Sequence, residues 1–139
     1  MMHKSFSASD TARIGAELAK NAKPGDVFCL IGDLGAGKTV FAGGFAKGLG
    51  INHDIVSPTF TILNEYHQGR LSLFHFDLYR IEDPNELIGI GYEEYFYGDG
   101  VTLLEWPEIA INLIPHNAIY ITFETDFAIN PDFRRIIIN

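Results

Sequence analysis

One segment of the sequence has residue types and spacing suited to holding a chain of phosphates. It runs Gly-Asp-Leu-Gly-Ala-Gly-Lys-Thr from Gly32 to Thr39 and matches the pattern G-x-x-x-x-G-K-[ST] in full. Its glycines, Gly32, Gly35 and Gly37, allow a tight curl that turns successive backbone N–H groups towards an anion. Lys38 would then reach the β- and γ-phosphates, and the Thr39 hydroxyl would bind Mg²⁺. The pattern predicts binding of a nucleoside triphosphate.

The surroundings of this loop favour a phosphate site over a chance glycine-rich turn. An apolar strand is predicted over Val27–Ile31, directly before the loop, and a helix over Lys38–Leu49, directly after it. Gly43, Gly44 and Gly48 make that helix dependent on tertiary packing. We expect nucleotide contacts from the loop and the residue that follows it: Gly32, Asp33, Leu34, Gly35, Ala36, Gly37, Lys38, Thr39 and Val40.

Two carboxylates are candidates for completing a Mg²⁺ site beside Thr39. Asp77 follows the apolar segment Leu73–Phe76, and Glu105 follows Val101–Leu104. Phosphate-loop enzymes hold Mg²⁺ with an acid at the end of a neighbouring apolar strand, and Mg²⁺ accepts one or two carboxylates besides waters and phosphates. One acid would therefore bind the metal and the other would orient water, or both would bind the metal.

The elements that must position these residues alternate between helices and strands. Ser9 is a candidate cap for a first helix through Ile14 and Leu18, which Pro24-Gly25 ends. Later segments predict a hairpin, a short helix from Asp83 and three further strands: Phe60–Tyr66 with Leu71–Asp77, then Val101–Leu104, Ala118–Phe123 and Arg135–Ile138. This pattern predicts an α/β fold, a three-layer P-loop domain with a mixed central sheet that spans residues 1–139.

Composition and charge exclude several classes of protein. The chain has 139 residues, 47% of them hydrophobic, so it is a folded protein of one-domain size and not a disordered one. The single cysteine, Cys29, excludes a disulfide framework, and the absence of a signal-like segment predicts a cytoplasmic protein without a membrane span. The net charge is -8, and no basic residue lies between Ile81 and Phe133. Such a surface would repel nucleic acid and attract a basic protein partner.

Motifs that are absent from the sequence reduce the number of reactions that it could catalyse. The guanine-specific motif N-K-x-D is absent, which favours adenine, and the stretch from Ile81 to Phe133 has no basic residue for the lid of a small-molecule kinase. Four arginines remain as candidates for neutralising transition-state charge: Arg70, Arg80, Arg134 and Arg135. Turnover by the isolated chain should therefore be slow.

Taken together, four motifs make the sequence resemble the TsaE (YjeE) family, the small ATPase subunit of bacterial tRNA threonylcarbamoyladenosine biosynthesis. They are the phosphate loop, Ser57-Pro-Thr-Phe60, His75-Phe-Asp-Leu-Tyr-Arg80 and Leu104-Glu-Trp-Pro-Glu108. The resemblance spans nearly the whole chain. It implies ATP and Mg²⁺ as cofactors and an ATPase that works with a TsaD-type transferase and its TsaB-type paralogue, meeting tRNA only through that complex.

The resemblance also implies roles for residues outside the loop. The segment Ser57–Phe60 would be a switch-like loop near the γ-phosphate, with Thr59 as its polar contact. Asp77 and Glu105 would be the functional acids, with Lys38, Thr59, Asp77 and Glu105 forming the catalytic set and Thr39, Asp77 and Glu105 the metal set. Trp106 would be an aromatic wall beside the nucleotide or a contact for a partner.

Two other functions remain open from the sequence: a small P-loop kinase, and a nucleotide-gated interaction module that barely hydrolyses ATP. Zinc binding is not expected, because the five histidines lack cysteine partners and metal-ligand spacing. Cys29 is predicted to be a small core residue, and His75 to be mainly a packing residue that shares a strand face with Asp77.

Overall fold

The computed structural model describes all residues from 1 to 139 and contains seven strands and four α-helices. The strands are β1 (Met2–Ser5), β2 (Val27–Ile31), β3 (Leu63–Tyr66), β4 (Leu73–Asp77), β5 (Val101–Glu105), β6 (Ile119–Thr125) and β7 (Arg134–Ile138). The α-helices are α1 (Ala8–Lys20), α2 (Lys38–Gly48), α3 (Asn85–Ile90) and α4 (Tyr92–Phe96), and a 3₁₀ helix covers Pro107–Leu113. None of the helices is both long and apolar enough to cross a membrane.

All seven strands form one mixed sheet in the order β1-β7-β6-β2-β5-β4-β3. The four central strands, β6, β2, β5 and β4, are parallel, and β1, β7 and β3 add antiparallel pairs at the two edges. The predicted α/β fold with a mixed sheet is confirmed. Because β5 lies between β2 and β4, the end of β5 comes between the phosphate loop after β2 and Asp77 at the end of β4.

Helices cover both faces of the sheet and produce three layers. On one face, α1 and α2 pack with the inward side chains of the strands in a core cluster of 18 buried residues, among them Phe28, Phe45 and Leu103. On the other face, α3, α4 and the 3₁₀ helix contribute to a cluster of 11 buried residues that includes Cys29 and Leu104. Side chains of β2 and β5 point alternately to the two faces of the sheet, and both faces are buried, which explains why β2 is wholly apolar and β5 is apolar except at Thr102 and Glu105.

Several local predictions need correction. Ser7, not Ser9, caps α1: it has extended backbone angles, and its side chain accepts a hydrogen bond from the Asp10 N–H at 3.0 Å. The strand expected from Phe60 begins only at Leu63, and Phe60 is 80% exposed in the preceding turn. β1 was not predicted, because its residues Met-His-Lys-Ser lack an apolar run and it lies at an edge, paired with β7.

Candidate nucleotide-binding site

The phosphate loop links the end of β2 to the first residue of α2, as predicted. Gly35 and Gly37 have φ angles of +79° and +101°, the left-handed region that a residue with a Cβ rarely adopts. Gly37 is the N-cap of α2, so the first-turn N–H groups of Lys38, Thr39 and Val40 have no helical acceptor and remain free for an anion. The loop therefore has the backbone geometry that phosphate binding requires.

One cavity of about 240 Å³ lies above this loop, at the carboxyl ends of the parallel strands. Nine of the predicted residues line it, together with Ser57: Leu34, Gly35, Gly37, Lys38, Thr39, Val40, Asp77, Glu105 and Trp106. Four predicted residues do not line it. The Gly32 carbonyl accepts a hydrogen bond from Lys38, whereas Asp33 and Ala36 line a separate cavity and Thr59 contacts Asp77.

The two predicted carboxylates are direct neighbours. Asp77 and Glu105 are register partners at the ends of β4 and β5, each 3% exposed. The Thr59 hydroxyl donates a hydrogen bond to Asp77 Oδ2 at 3.0 Å, and the Tyr79 N–H donates to Oδ1 at 2.9 Å. Ser57 lies 2.9 Å from Thr59 through their hydroxyl oxygens. The switch-like segment is thus connected to Asp77.

Lys38 is buried beside these acids. Its Nζ donates a hydrogen bond to the Gly32 carbonyl at 2.6 Å and lies 3.6 Å from the centre of the Trp106 ring. Burial lowers the pKa of the Lys38 ammonium, and the negative charges of Glu105 and Asp77 oppose that shift. The φ of Trp106 is +55°, and this left-handed backbone brings the indole over the ammonium. An incoming phosphate would offer Lys38 a stronger partner than a carbonyl and a ring.

The four candidate arginines make their contacts outside the cavity. Arg134, the first residue of β7, donates to the carbonyls of Gly35 and Ala36, both at 3.1 Å, and so braces the phosphate loop. Arg70 donates to carbonyls at the end of α1, Arg135 pairs with Glu124, and Arg80 lies over the Phe60 ring. None of the four extends a free guanidinium into the cavity. The brace by Arg134 had no signal in the local sequence.

Other candidates have structural roles. Cys29 is fully buried in β2, and burial raises the pKa of its thiol to about 12, so no reactive thiolate forms at neutral pH. No group of three or more His, Cys, Asp or Glu side chains is arranged to hold a metal ion by itself. His75 does more than pack: its Nε2 lies 2.5 Å from Glu105 Oε2.

A strand, a phosphate loop and a helix at the centre of a parallel sheet, with acids at the ends of two adjacent strands, define a nucleotide-binding protein of the P-loop class. The family model described as "Threonylcarbamoyl adenosine biosynthesis protein TsaE" matches residues 5–134. The chain belongs to the TsaE family, as its motifs indicated.

Individual relatives agree with this assignment. A "tRNA threonylcarbamoyladenosine biosynthesis protein TsaE" from Bacillus subtilis is 46% identical over 121 residues, which is 87% of this chain and 75% of that protein. The protein of the same description from Treponema pallidum is 45% identical over 85% of this chain and 87% of its own length. The crystal structure of YdiB from Bacillus subtilis superposes with a TM-score of 0.81 at 40% identity, covering 98% of this chain and 82% of that one.

Proposed function

We propose that the chain is a Mg²⁺-dependent ATPase subunit of the tRNA threonylcarbamoyladenosine modification complex, and that residues 1–139 act as one cytoplasmic P-loop ATPase domain. One observation carries the proposal: a single cavity brings Lys38, Thr39, Asp77 and Glu105 together above a loop of free N–H groups. The names of the TsaE relatives supply the pathway. Adenine is the proposed base because the guanine-specific motif is absent.

The residues present fit a triphosphate with Mg²⁺. The Thr39 hydroxyl and the carboxylates of Asp77 and Glu105 line the same cavity, and such an oxygen set, completed by phosphates and water, suits Mg²⁺ better than an all-protein cage does. When bound, Mg²⁺ would neutralise charge on the phosphate oxygens. Lys38 would leave the Gly32 carbonyl for the β- and γ-phosphates. The loop from Gly32 to Val40 and the Trp106 ring would enclose the nucleotide.

Asp77 and Thr59 are the proposed pair for the attacking water. Asp77 receives hydrogen bonds on both oxygens, one of them from Thr59, so its carboxylate is held in place. In hydrolysis, the water oxygen bonds to the γ-phosphorus, the bond from that phosphorus to the bridging oxygen breaks, and ADP leaves. Asp77 or the phosphate itself accepts the water proton. Thr39 and Glu105 would then hold the metal ion.

The positions of the arginines argue that ATP hydrolysis depends on a partner protein. No guanidinium of this chain points freely into the cavity, so the charge that develops on the transferring phosphoryl group lacks a cation other than Lys38 and the metal. A partner protein would supply it, and we assign this role to a TsaD-type transferase with its TsaB-type paralogue. The net charge of -8 argues that tRNA is met only through those partners.

The decisive experiment measures Mg²⁺-dependent ATP turnover by the purified chain, alone and with the two partners. We expect slow turnover alone and strong stimulation by the partners. The Lys38→Ala variant should lose nucleotide binding and turnover while its circular dichroism spectrum stays the same. Equal ATP affinity in wild type and variant, or brisk turnover that ignores the partners, would contradict the proposal.

The Glu105→Gln variant separates hydrolysis from simple nucleotide gating. The amide keeps the size of the carboxylate and removes its charge. If hydrolysis is required, this variant should retain ATP binding and lose stimulated turnover and tRNA modification. Full tRNA modification with turnover abolished would instead favour a nucleotide-gated module, and a phosphorylated small-molecule product would favour a kinase.

A further inference from the structure

A buried histidine lies directly behind the cavity. His75, in the middle of β4, is fully buried, and its Nε2 is 2.5 Å from Oε2 of Glu105, whose side chain is also buried. The imidazole gives the Glu105 side chain its only hydrogen bond within the chain. A buried carboxylate without a donor is strongly disfavoured, so this single contact determines where the carboxylate lies.

Strand register explains why Glu105 needs this donor. Asp77 and Glu105 are paired across β4 and β5, and His75 is paired with Leu103 two residues earlier, on the same face of the sheet. Two carboxylates on adjacent strands repel each other. Asp77 takes the donors of Thr59 and Tyr79, and the histidine below the pair is left to hold Glu105.

The environment of the ring selects its tautomer. His75 Nδ1 is buried and has no hydrogen-bond partner. A proton on Nδ1 would be an orphaned buried donor, whereas a proton on Nε2 can be donated to Glu105. A ring that donates an Nε2 proton to Glu105 therefore fits the site.

We propose that His75 is the positioning residue of Glu105: its Nε2–H holds Oε2 and leaves Oε1 for the metal ion or for water in the cavity. This assignment rests on the proposed ATPase site but concerns a residue that does not line the cavity itself. Loss of an outer hydrogen-bond partner of a metal ligand lowers metal affinity or activity by about 10- to 100-fold.

Two variants separate positioning from packing. His75→Leu fills the buried position with an apolar side chain and removes the donor, whereas His75→Gln places an amide N–H near the position of Nε2. We expect His75→Leu to lose about tenfold or more in kcat or in Mn²⁺ affinity in the presence of ADP, with ADP affinity without metal unchanged. His75→Gln should recover most of that loss, which a role in packing alone does not predict.

The exposed pair of His67 and Glu65 provides a matched control. Their atoms Nε2 and Oε1 are 3.2 Å apart, but the two side chains are 59% and 39% exposed. His67→Leu should leave kcat and Mn²⁺ affinity within about twofold of wild type, since exposed pairs contribute little. Equal values for His75→Leu and wild type, or a His75→Gln variant no better than His75→Leu, would overturn the proposal.

A spectroscopic measurement covers the case in which His75→Leu does not fold. Nitrogen-15 NMR of the wild-type protein should show a proton on His75 Nε2, and the resonance of that proton should move in Glu105→Gln. An Nε2 without a proton, or a resonance that is unchanged in Glu105→Gln, would refute the assignment. This measurement needs no ATP turnover, so a failure of the proposed ATPase function remains distinguishable from a failure of the proposed role of His75.

Discussion

Two neighbouring glycines of α2 test how the helix that carries Lys38 is packed. A Cβ added at Gly44 would collide first with the carbonyl oxygen of Ala12 in α1, and it would lie 2.6 Å from the carbonyl carbon and the Cα of that residue. A Cβ added at Gly43 would meet nothing within 4 Å. The two positions lie in the same helix and both hold glycine, so a change to alanine has the same effect on helix propensity at each. They differ only in the atoms that a new side chain would contact.

The expected magnitudes follow from these distances. Even the two carbon contacts at Gly44 are about 0.9 Å shorter than the roughly 3.5 Å at which carbon atoms ordinarily meet, and backbone atoms cannot rotate away. Overpacking of this kind costs up to about 3 kcal/mol, against a gain of about 1 kcal/mol in helix propensity. Gly44→Ala should therefore lose about 2 kcal/mol of stability. Gly43→Ala should gain about 1 kcal/mol.

Urea unfolding followed by circular dichroism measures both changes in the free energy of unfolding, and thermal unfolding measures the corresponding midpoints. With an unfolding entropy of about 0.3 kcal/mol/K for a chain of this size, the thermal midpoint should fall by about 7 °C in Gly44→Ala and rise by about 3 °C in Gly43→Ala. Because α2 begins at Lys38, we also expect weaker nucleotide binding in Gly44→Ala alone. A Gly44→Ala variant as stable as wild type would refute the close-packing argument.

Two further predictions concern the site. Arg134→Met removes the donor to the Gly35 and Ala36 carbonyls and should weaken ATP binding about tenfold by calorimetry, while Arg135→Met, which loses only an exposed pair with Glu124, should not. The pKa of Lys38 is lowered by burial, so between that lowered value and 10.5 the unfolded chain holds more protons than the native one. In denaturant titrations, the stability of wild type relative to Lys38→Met should therefore rise with pH across this window. Lys47→Met is the exposed control. A decline of that relative stability with pH would contradict the burial of the Lys38 charge.

Much of the candidate site could be predicted because its signal is contiguous. The phosphate loop, the strand before it and the helix after it occupy one stretch from Val27 to Gly48, and their geometry follows from local glycine conformations and apolar patterning. Asp77 and Glu105 could be found for the same reason, since each ends an apolar strand. Their pairing as neighbours needed only the assumption of a parallel sheet.

Contacts between distant segments could not be predicted in this way. Arg134 reaches the loop across 98 positions of sequence, and nothing near it indicates which carbonyls it meets. The short edge strand β1 has no apolar alternation and exists because β7 offers it a partner. The beginning of β3 at Leu63, not Phe60, depends on its pairing with Phe76 of β4.

The class of fold, the phosphate loop and the two acids could therefore be predicted from the sequence alone, because each depends on residues adjacent in the chain. The contact of Gly44 but not Gly43 with α1, and the hydrogen bond between His75 and Glu105, depend instead on the folded arrangement of distant segments. Those outcomes depend on helix rotation and strand register, which arise when the whole core packs and each buried polar group must find its partner.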